Sequence, residues 1–147
     1  MKIQVTIEDK QETEVLIHAV SQEEADKLVA YIKRYDKYMM IQDTQGIHSI
    51  EVNAIIRIYS HHKMVYVKTM SGEYEVRKRL YEWEEQLASL DFVRISNTEI
   101  VNLHHVQHFD MSRIGMITIM MSDHHKGVVS RRYLPKIRKR LERMKSI

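Results

Sequence analysis

The residues best suited to recognition chemistry lie between Phe92 and Asn102. There Arg94, Ser96, Asn97 and Thr98 form a polar cluster flanked by Phe92, Val93 and Ile95 on one side and Ile100-Val101 on the other. Apolar flanks anchor such a segment to a core while the polar middle faces outward. Arginine presents a planar fork of donors, and asparagine presents one donor and one acceptor edge. These side chains make the bidentate contacts that read guanine and adenine in a DNA major groove. On an ordinary surface turn the same residue types are usually just solvated. A second stretch, Val129-Ser130-Arg131-Arg132-Tyr133, repeats the chemistry inside the most basic part of the chain.

Charge is distributed unevenly. Residues 1–50 hold six Lys/Arg against nine Asp/Glu, residues 51–110 seven against nine, and residues 111–147 ten against two. The formal net charge of +3 therefore hides a strongly basic end. Positive charge gathered at one end is an electrostatic footprint for a polyanion, although a solvated basic helix would produce the same count.

Other chemistries find less support. The pairs His61-His62, His104-His105 and His124-His125, with His108, raise metal binding. A zinc site needs three or four converging ligands, and adjacent strand positions point to opposite faces. His104 and His108 could share a face, but no acidic or Cys partner stands at ligand spacing. Turn and surface histidines are the expectation, with no metal or other cofactor. The chain has no cysteine, which excludes disulfides and thiolate chemistry. It shows no nucleophile elbow, Gly-rich phosphate loop or pair of carboxylates in an apolar frame, so no enzyme is expected. Glu82, Glu84 and Glu85 read as a solvated helix face.

The length of 147 residues, with 44% hydrophobic and 29% charged residues, fits one globular domain carrying a small extension. No run reaches the length of a membrane-spanning helix, and the N-terminus lacks a signal-peptide core. The expectation is a cytoplasmic protein without stable membrane insertion.

The elements that must position these residues can be read in order. Lys2–Glu8 alternates with Ile3, Val5 and Ile7 on one side, which predicts a half-buried strand. Gln11–Glu14 predicts a turn and Val15–Val20 a second strand. Ser21 opens a helix, with Glu24 placed for a capping box. Ala25, Leu28, Val29, Ile32 and Tyr35 form its apolar stripe, expected in the core. Met39–Ile41 is a strand and Asp43–Gly46 a turn. Residues 1–46 thus form a small β-β-α-β region suited to dimerisation or regulation. Residues 47–147 are mainly β: short strands with tight turns at Ser60–Lys63, Ser71-Gly72 and Asp123–Gly127, a helix over Arg79–Leu90, a last strand opening at Val128-Val129-Ser130, and a closing helix over Tyr133–Met144.

Residues 47 to 141 resemble the LytTR family of bacterial DNA-binding domains. The matching pieces are Ile55-Ile56-Arg57-Ile58-Tyr59, the hairpin at Ser71-Gly72, the helix Leu80–Leu87, the stretch Phe92–Asn102 and the closing Val129–Tyr133, in that order. The resemblance implies an elongated domain of three small antiparallel sheets with short helices, preceded here by an α/β N-terminal extension. It also implies that loops, rather than a recognition helix, enter successive major grooves of double-stranded DNA. On this chain the base-reading positions would be the Ser60–Lys63 turn (His61, His62 or Lys63), Asn97 and Arg132. Arg94, Arg131 and Lys126 would meet phosphates, with Ser96 and Ser130 completing the set. Ser96 stands where histidine is common in the family, and Asn97 where a basic residue is common.

The expected function is a sequence-specific, LytTR-type transcriptional regulator, related to response regulators but without a receiver domain, bound as a dimer to repeated sites. A membrane protein or a small ligand would supply the signal. The alternative is a protein-interaction module whose basic end binds RNA or lipid without specificity.

Overall fold

The computed structural model describes residues 1–9, 14–35 and 38–144. The chain divides into two compact units, Met1–Arg34 and Tyr35–Ile147.

In the first unit the helix forms where the sequence places it. α1 spans Gln22–Tyr35. The Ser21 hydroxyl accepts from the Glu24 backbone N–H at 3.1 Å, satisfying one of the donors that a helix start leaves open. Neither expected strand is present: Lys2–Glu8 and Val15–Val20 hold no regular element, and Ile3, Val5, Ile7, Leu16 and Val20 are exposed. Alternation defines one apolar face, but a strand also needs a neighbour for its backbone donors and acceptors. The described residues of this unit supply none. The α1 stripe is likewise only half covered, with Val29 and Ile32 exposed. The turn expected at Gln11–Glu14 falls mostly outside the described residues, as does the side chain of Tyr35.

The second unit is built from three antiparallel sheets. β1 (Tyr38–Asp43) and β2 (Gly46–Glu51) form a hairpin, so the strand foreseen at Met39–Ile41 belongs here and not to a β-β-α-β region. The Asp43 carboxylate closes the turn by accepting from the backbone N–H groups of Gln45 at 2.8 Å and Gly46 at 3.1 Å. The His48 ring lies 2.9 Å from the same oxygen, and this contact holds the Asp43 carboxyl below its ordinary value.

The central sheet has the order β5-β4-β3-β7-β6. Its strands are β3 (Ile55–His61), β4 (Met64–Thr69), β5 (Glu73–Val76), β6 (Phe92–Ser96) and β7 (Glu99–Asn102). The run Ile55-Ile56-Arg57-Ile58 does not alternate because the register shifts between Ile55 and Arg57. That bulge sends Ile55 and Ile58 to one core and Ile56 to the other. The buried Asn102 amide donates to the Ile55 carbonyl at 2.9 Å, and its oxygen accepts from the His104 N–H at 3.0 Å. Polar groups at the bulge are thereby paired, as burial requires.

One face of the central sheet packs against the β1–β2 hairpin and α2 (Leu80–Gln86) through Met39, Ile41, Leu80, Trp83 and Leu87. The other packs against the third sheet, β8 (Val106–Asp110), β9 (Thr118–Met121) and β10 (Lys126–Val128), and against α3 (Leu134–Met144). The last strand thus begins two residues earlier than expected, at Lys126 rather than Val128, and Ser130 stands outside it. Pro135 sits in the first turn of α3, where its missing N–H has no partner to lose. Gly127 lets β10 lie close to β6: a Cβ there would stand 3.0 Å from Ile95 Cδ1 and 3.1 Å from Ile119 Cγ1.

Candidate nucleic-acid interface

Burying Phe92, Val93 and Ile95 on β6 and Ile100 and Val101 on β7 leaves Ser96–Thr98 as the turn between them. Arg94 organises this turn from within. Its Nε donates to the Ser96 carbonyl at 3.0 Å, its Nη2 to the Asn97 carbonyl at 2.7 Å, and its Nη1 to the Glu84 carboxylate on α2 at 2.8 Å. The Arg94 side chain is only 16% exposed. A guanidinium that meets two turn carbonyls and a carboxylate spends its fork on the protein, so the structure does not set Arg94 among the outward cations. The signal was missed because Glu84, taken for a solvated residue, is its partner from another element. Glu82 is also engaged, accepting from the Arg79 backbone N–H at 2.8 Å at the start of α2.

The clamp leaves Asn97 exposed at the tip. Ser96 is half-buried, and its hydroxyl accepts from the Thr98 N–H at 3.2 Å, a local turn bond that fixes the loop.

Ser130, Arg131 and Arg132 lie beside this turn. The Ser130 N–H donates to the Ile95 carbonyl at 2.8 Å, and the Tyr133 N–H donates to the Ser130 carbonyl at 2.9 Å. A 3-10 turn over Arg131–Tyr133 follows, anchored by the buried Leu134 and Ile137 of α3. The Tyr133 hydroxyl donates to Asn97 Oδ1 at 3.3 Å, joining the two expected motifs side chain to side chain. The Arg132 guanidinium stands 5.6 Å from the Tyr133 ring centroid, within cation–π range. Arg131 and Arg132 are both exposed.

The third segment, the β3–β4 hairpin, is tied to the first. The Ser60 N–H donates to the Thr98 carbonyl at 2.8 Å. His61 pairs with Met64, leaving His62 and Lys63 as a two-residue turn with φ of 48° and 65°. Positive φ at both central residues is the signature of a type I′ turn, whose twist suits a hairpin. His61, His62 and Lys63 are all exposed, and the His61 and His62 rings lie 3.9 Å apart. The turns at 61–63, 96–98 and 130–132 are therefore tied together by backbone hydrogen bonds from Ser60 to Thr98 and from Ser130 to Ile95.

Lys126 belongs to β10 and is exposed. The turn before it is held by a half-buried charged cluster. Arg57 Nε donates to Asp123 Oδ2 at 3.2 Å, and Arg57 Nη1 stands 3.6 Å from Glu99 Oε1. His125 Nε2 lies 2.8 Å from the same Glu99 oxygen without the alignment of a hydrogen bond. Burial pushes the Asp123 carboxyl up, but the His125 backbone N–H and Arg57 outweigh it and hold the group below its ordinary value. Arg57 also stacks over the Tyr59 ring at 4.3 Å. Burial, reinforced by the Glu73 carboxylate that its hydroxyl meets, pushes Tyr59 up to about 12.

Arg77, Lys78 and Arg79 were not foreseen. They line an open groove of about 890 Å³ with Lys63, Met40, Met64 and others. Arg79 Nη1 donates to the Lys63 carbonyl at 3.3 Å, and Lys78 Nζ stands 4.7 Å from the Trp83 ring. Three consecutive cations in an otherwise acidic stretch were the available signal. His104 and His105 serve loops: His104 meets Asp91 at 2.6 Å, and His105 bridges Ser122 and the Asn53 carbonyl. Among the described residues no three His, Cys, Asp or Glu side chains gather for a metal.

Residues 45–142 match the LytTr DNA-binding domain family. The chain belongs to that family. Uncharacterized HTH-type transcriptional regulators from two strains of Staphylococcus aureus are 37% and 36% identical to it over 95 residues. Each match covers 65% of this chain and 64% of the relative. A solved LytTr DNA-binding domain of a putative methyl-accepting/DNA response regulator from Bacillus cereus superposes with a TM-score of 0.64. At 21% identity over 72% of this chain and 97% of that one, this likeness establishes the LytTR fold. The three antiparallel sheets implied by the sequence resemblance are present. The segments gathered above thus lie on a DNA-binding domain. No two consecutive elements of this domain are α-helices among the described residues. No helix among the described residues is long and apolar enough to cross a membrane.

Proposed function

We propose that this LytTR chain is a sequence-specific transcriptional regulator of the cytoplasm that reads double-stranded DNA with turns. Asn97 and Arg132 make base contacts, and one or more of His61, His62 and Lys63 enters a neighbouring stretch of major groove. Ser96, Ser130, Arg131 and Lys126 meet the backbone, joined by Arg77 and Lys78. Arg94 acts indirectly by holding the Asn97 turn. Phosphate contacts set register while base contacts specify sequence. The observation that carries this reading is the bond from Tyr133 to Asn97. It couples the two motifs whose side chains match bidentate adenine and guanine recognition. Repeated sites would be occupied by two copies, and the regulating signal would come from a membrane protein or a small ligand.

The test is selection of bound duplexes from a randomised pool at about 150 mM salt, where purely electrostatic binding is weak. Enrichment of spaced repeats is the expected result. A folded protein that enriches nothing, yet binds any polyanion with steep salt dependence, would instead be the interaction module with a non-specific basic end.

A further inference from the structure

The segment Lys2-Ile3-Gln4-Val5-Thr6-Ile7-Glu8 alternates like a strand, yet Ile3, Val5 and Ile7 are 78%, 79% and 94% exposed. Its sequence is self-complementary when reversed. Two copies laid antiparallel about Val5 place Val5 opposite Val5, Ile3 opposite Ile7, Gln4 opposite Thr6 and Lys2 opposite Glu8. Directly opposed residues of an antiparallel pair share a face. All six apolar side chains therefore fall on one side, and an ion pair closes each end on the other. Slipping the register by one residue sets apolar against polar side chains. Slipping it by two loses both ion pairs. Only one register satisfies hydrophobic pattern and charge together, and it is two-fold symmetric, as an isologous contact must be.

We infer that Lys2–Glu8 is a dimerisation strand that pairs with the same segment of a second copy about Val5. A two-stranded ribbon alone is marginal in water, so its apolar face needs cover. α1 carries the stripe Ala25, Leu28, Val29 and Ile32 for that purpose, with Val29 and Ile32 exposed at 39% and 36%. The inference is independent of the DNA reading, because everything it uses lies in residues 2–32.

The chain contains no cysteine, which makes disulfide trapping a clean test on the whole 147-residue chain without DNA. Opposed Cα atoms in an antiparallel pair are about 4.5–5.5 Å apart, inside the roughly 4.4–6.8 Å that a disulfide spans. Val5→Cys should cross-link to itself under mild oxidation about tenfold faster than Ile3→Cys or Ile7→Cys alone. An equal mixture of Ile3→Cys and Ile7→Cys should recover fast cross-linking. In sedimentation equilibrium, Lys2→Glu places two carboxylates opposite each other at each end and should weaken the dimer about fivefold. Adding Glu8→Lys should restore it. A wild-type chain that stays monomeric at about 100 µM, well above the roughly micromolar range of useful affinities, overturns the inference. So does equal cross-linking at all three positions, the mark of random collision. Folding of Lys2–Glu8 against Val15–Val20 of its own chain would appear as a monomer and overturn it too.

Discussion

Two tight turns in the central sheet of this protein are joined by one backbone bond, from Ser60 to Thr98, and are built by opposite means. The β6–β7 turn is clamped by a side chain: Arg94 takes two of its carbonyls and anchors them to Glu84. The β3–β4 turn is set by backbone conformation, with His62 and Lys63 both at positive φ. A side-chain bond from Arg79 to the Lys63 carbonyl supports it from α2's start. A left-handed conformation costs an L-residue about 1–2 kcal/mol, so the flanking ladders hold this hairpin against its own preference. The contrast teaches that presentation of an exposed side chain can be secured either by stiff contacts beneath it or by strands on both sides. Only the first leaves a single residue whose loss undoes the geometry.

The largest expected effect follows from that residue. Arg94→Ala should lower unfolding free energy by about 2–3 kcal/mol, since it abandons three charge-assisted bonds, partly offset by hydration of Glu84. Arg94→Lys should recover little, because a point charge cannot span two carbonyls and a carboxylate. Urea unfolding reads both. A loss under about 0.5 kcal/mol, the level of an ordinary surface substitution, would mean that the β6–β7 turn holds its shape without the clamp.

Next come Asn97, on the clamped turn, and Arg132, on the 3-10 turn beside it. Asn97→Ala and Arg132→Ala should each cost about 1–3 kcal/mol against a selected duplex. Both should leave stability within about 0.5 kcal/mol of the parent. Fluorescence anisotropy with the selected site and a scrambled one separates the two effects. Unchanged specific binding by Arg132→Ala would remove the last motif from base reading.

How much of this was legible in the sequence depends on where each partner comes from. Asn97 could be picked out because its turn is bounded by apolar residues on both sides, a purely local signal. The helix start at Ser21 and the Asp43–Gly46 turn were legible for the same reason. Arg94 was not, because its role is set by Glu84 and by carbonyls that become acceptors only once β6 and β7 pair. The link from Tyr133 to Asn97 spans 36 residues and has no local trace. His62-Lys63 hid its type I′ turn because neither residue is the Asn or Gly that announces one. Lys2–Glu8 shows the converse failure: its alternation was plain, but alternation alone names a face and not the strand that pairs with it.

A gain is expected at the strained hairpin. His62→Asn combined with Lys63→Gly should stabilise the fold by about 1 kcal/mol, because both new residues accept positive φ at less cost. The Arg79 contact survives, since it is made to a backbone carbonyl. DNA affinity should nevertheless fall as the imidazole and ammonium are removed. Stability up and affinity down, measured on one protein, separates the hairpin's conformational cost from its use. A loss of stability would mean that the His62 or Lys63 side chain contributes more to the fold than its backbone strain costs.

The smallest effect belongs to Lys126, and its form matters more than its size. The residue is exposed on β10, and the turn before it is already fixed by Arg57, Asp123, His125 and Glu99. Removing one ammonium should therefore leave the fold alone. If that ammonium neutralises a phosphate, Lys126→Ala weakens every duplex nearly equally and lowers the slope of log affinity against log salt by about one unit. Arg132→Ala should instead act mainly on the selected sequence. Plotting both variants against salt on selected and scrambled duplexes thus sorts the positive charges of this interface into positioning and reading. A sequence-dependent loss at Lys126 would move it from the first group to the second, and would extend base recognition from the clamped turn to the third sheet.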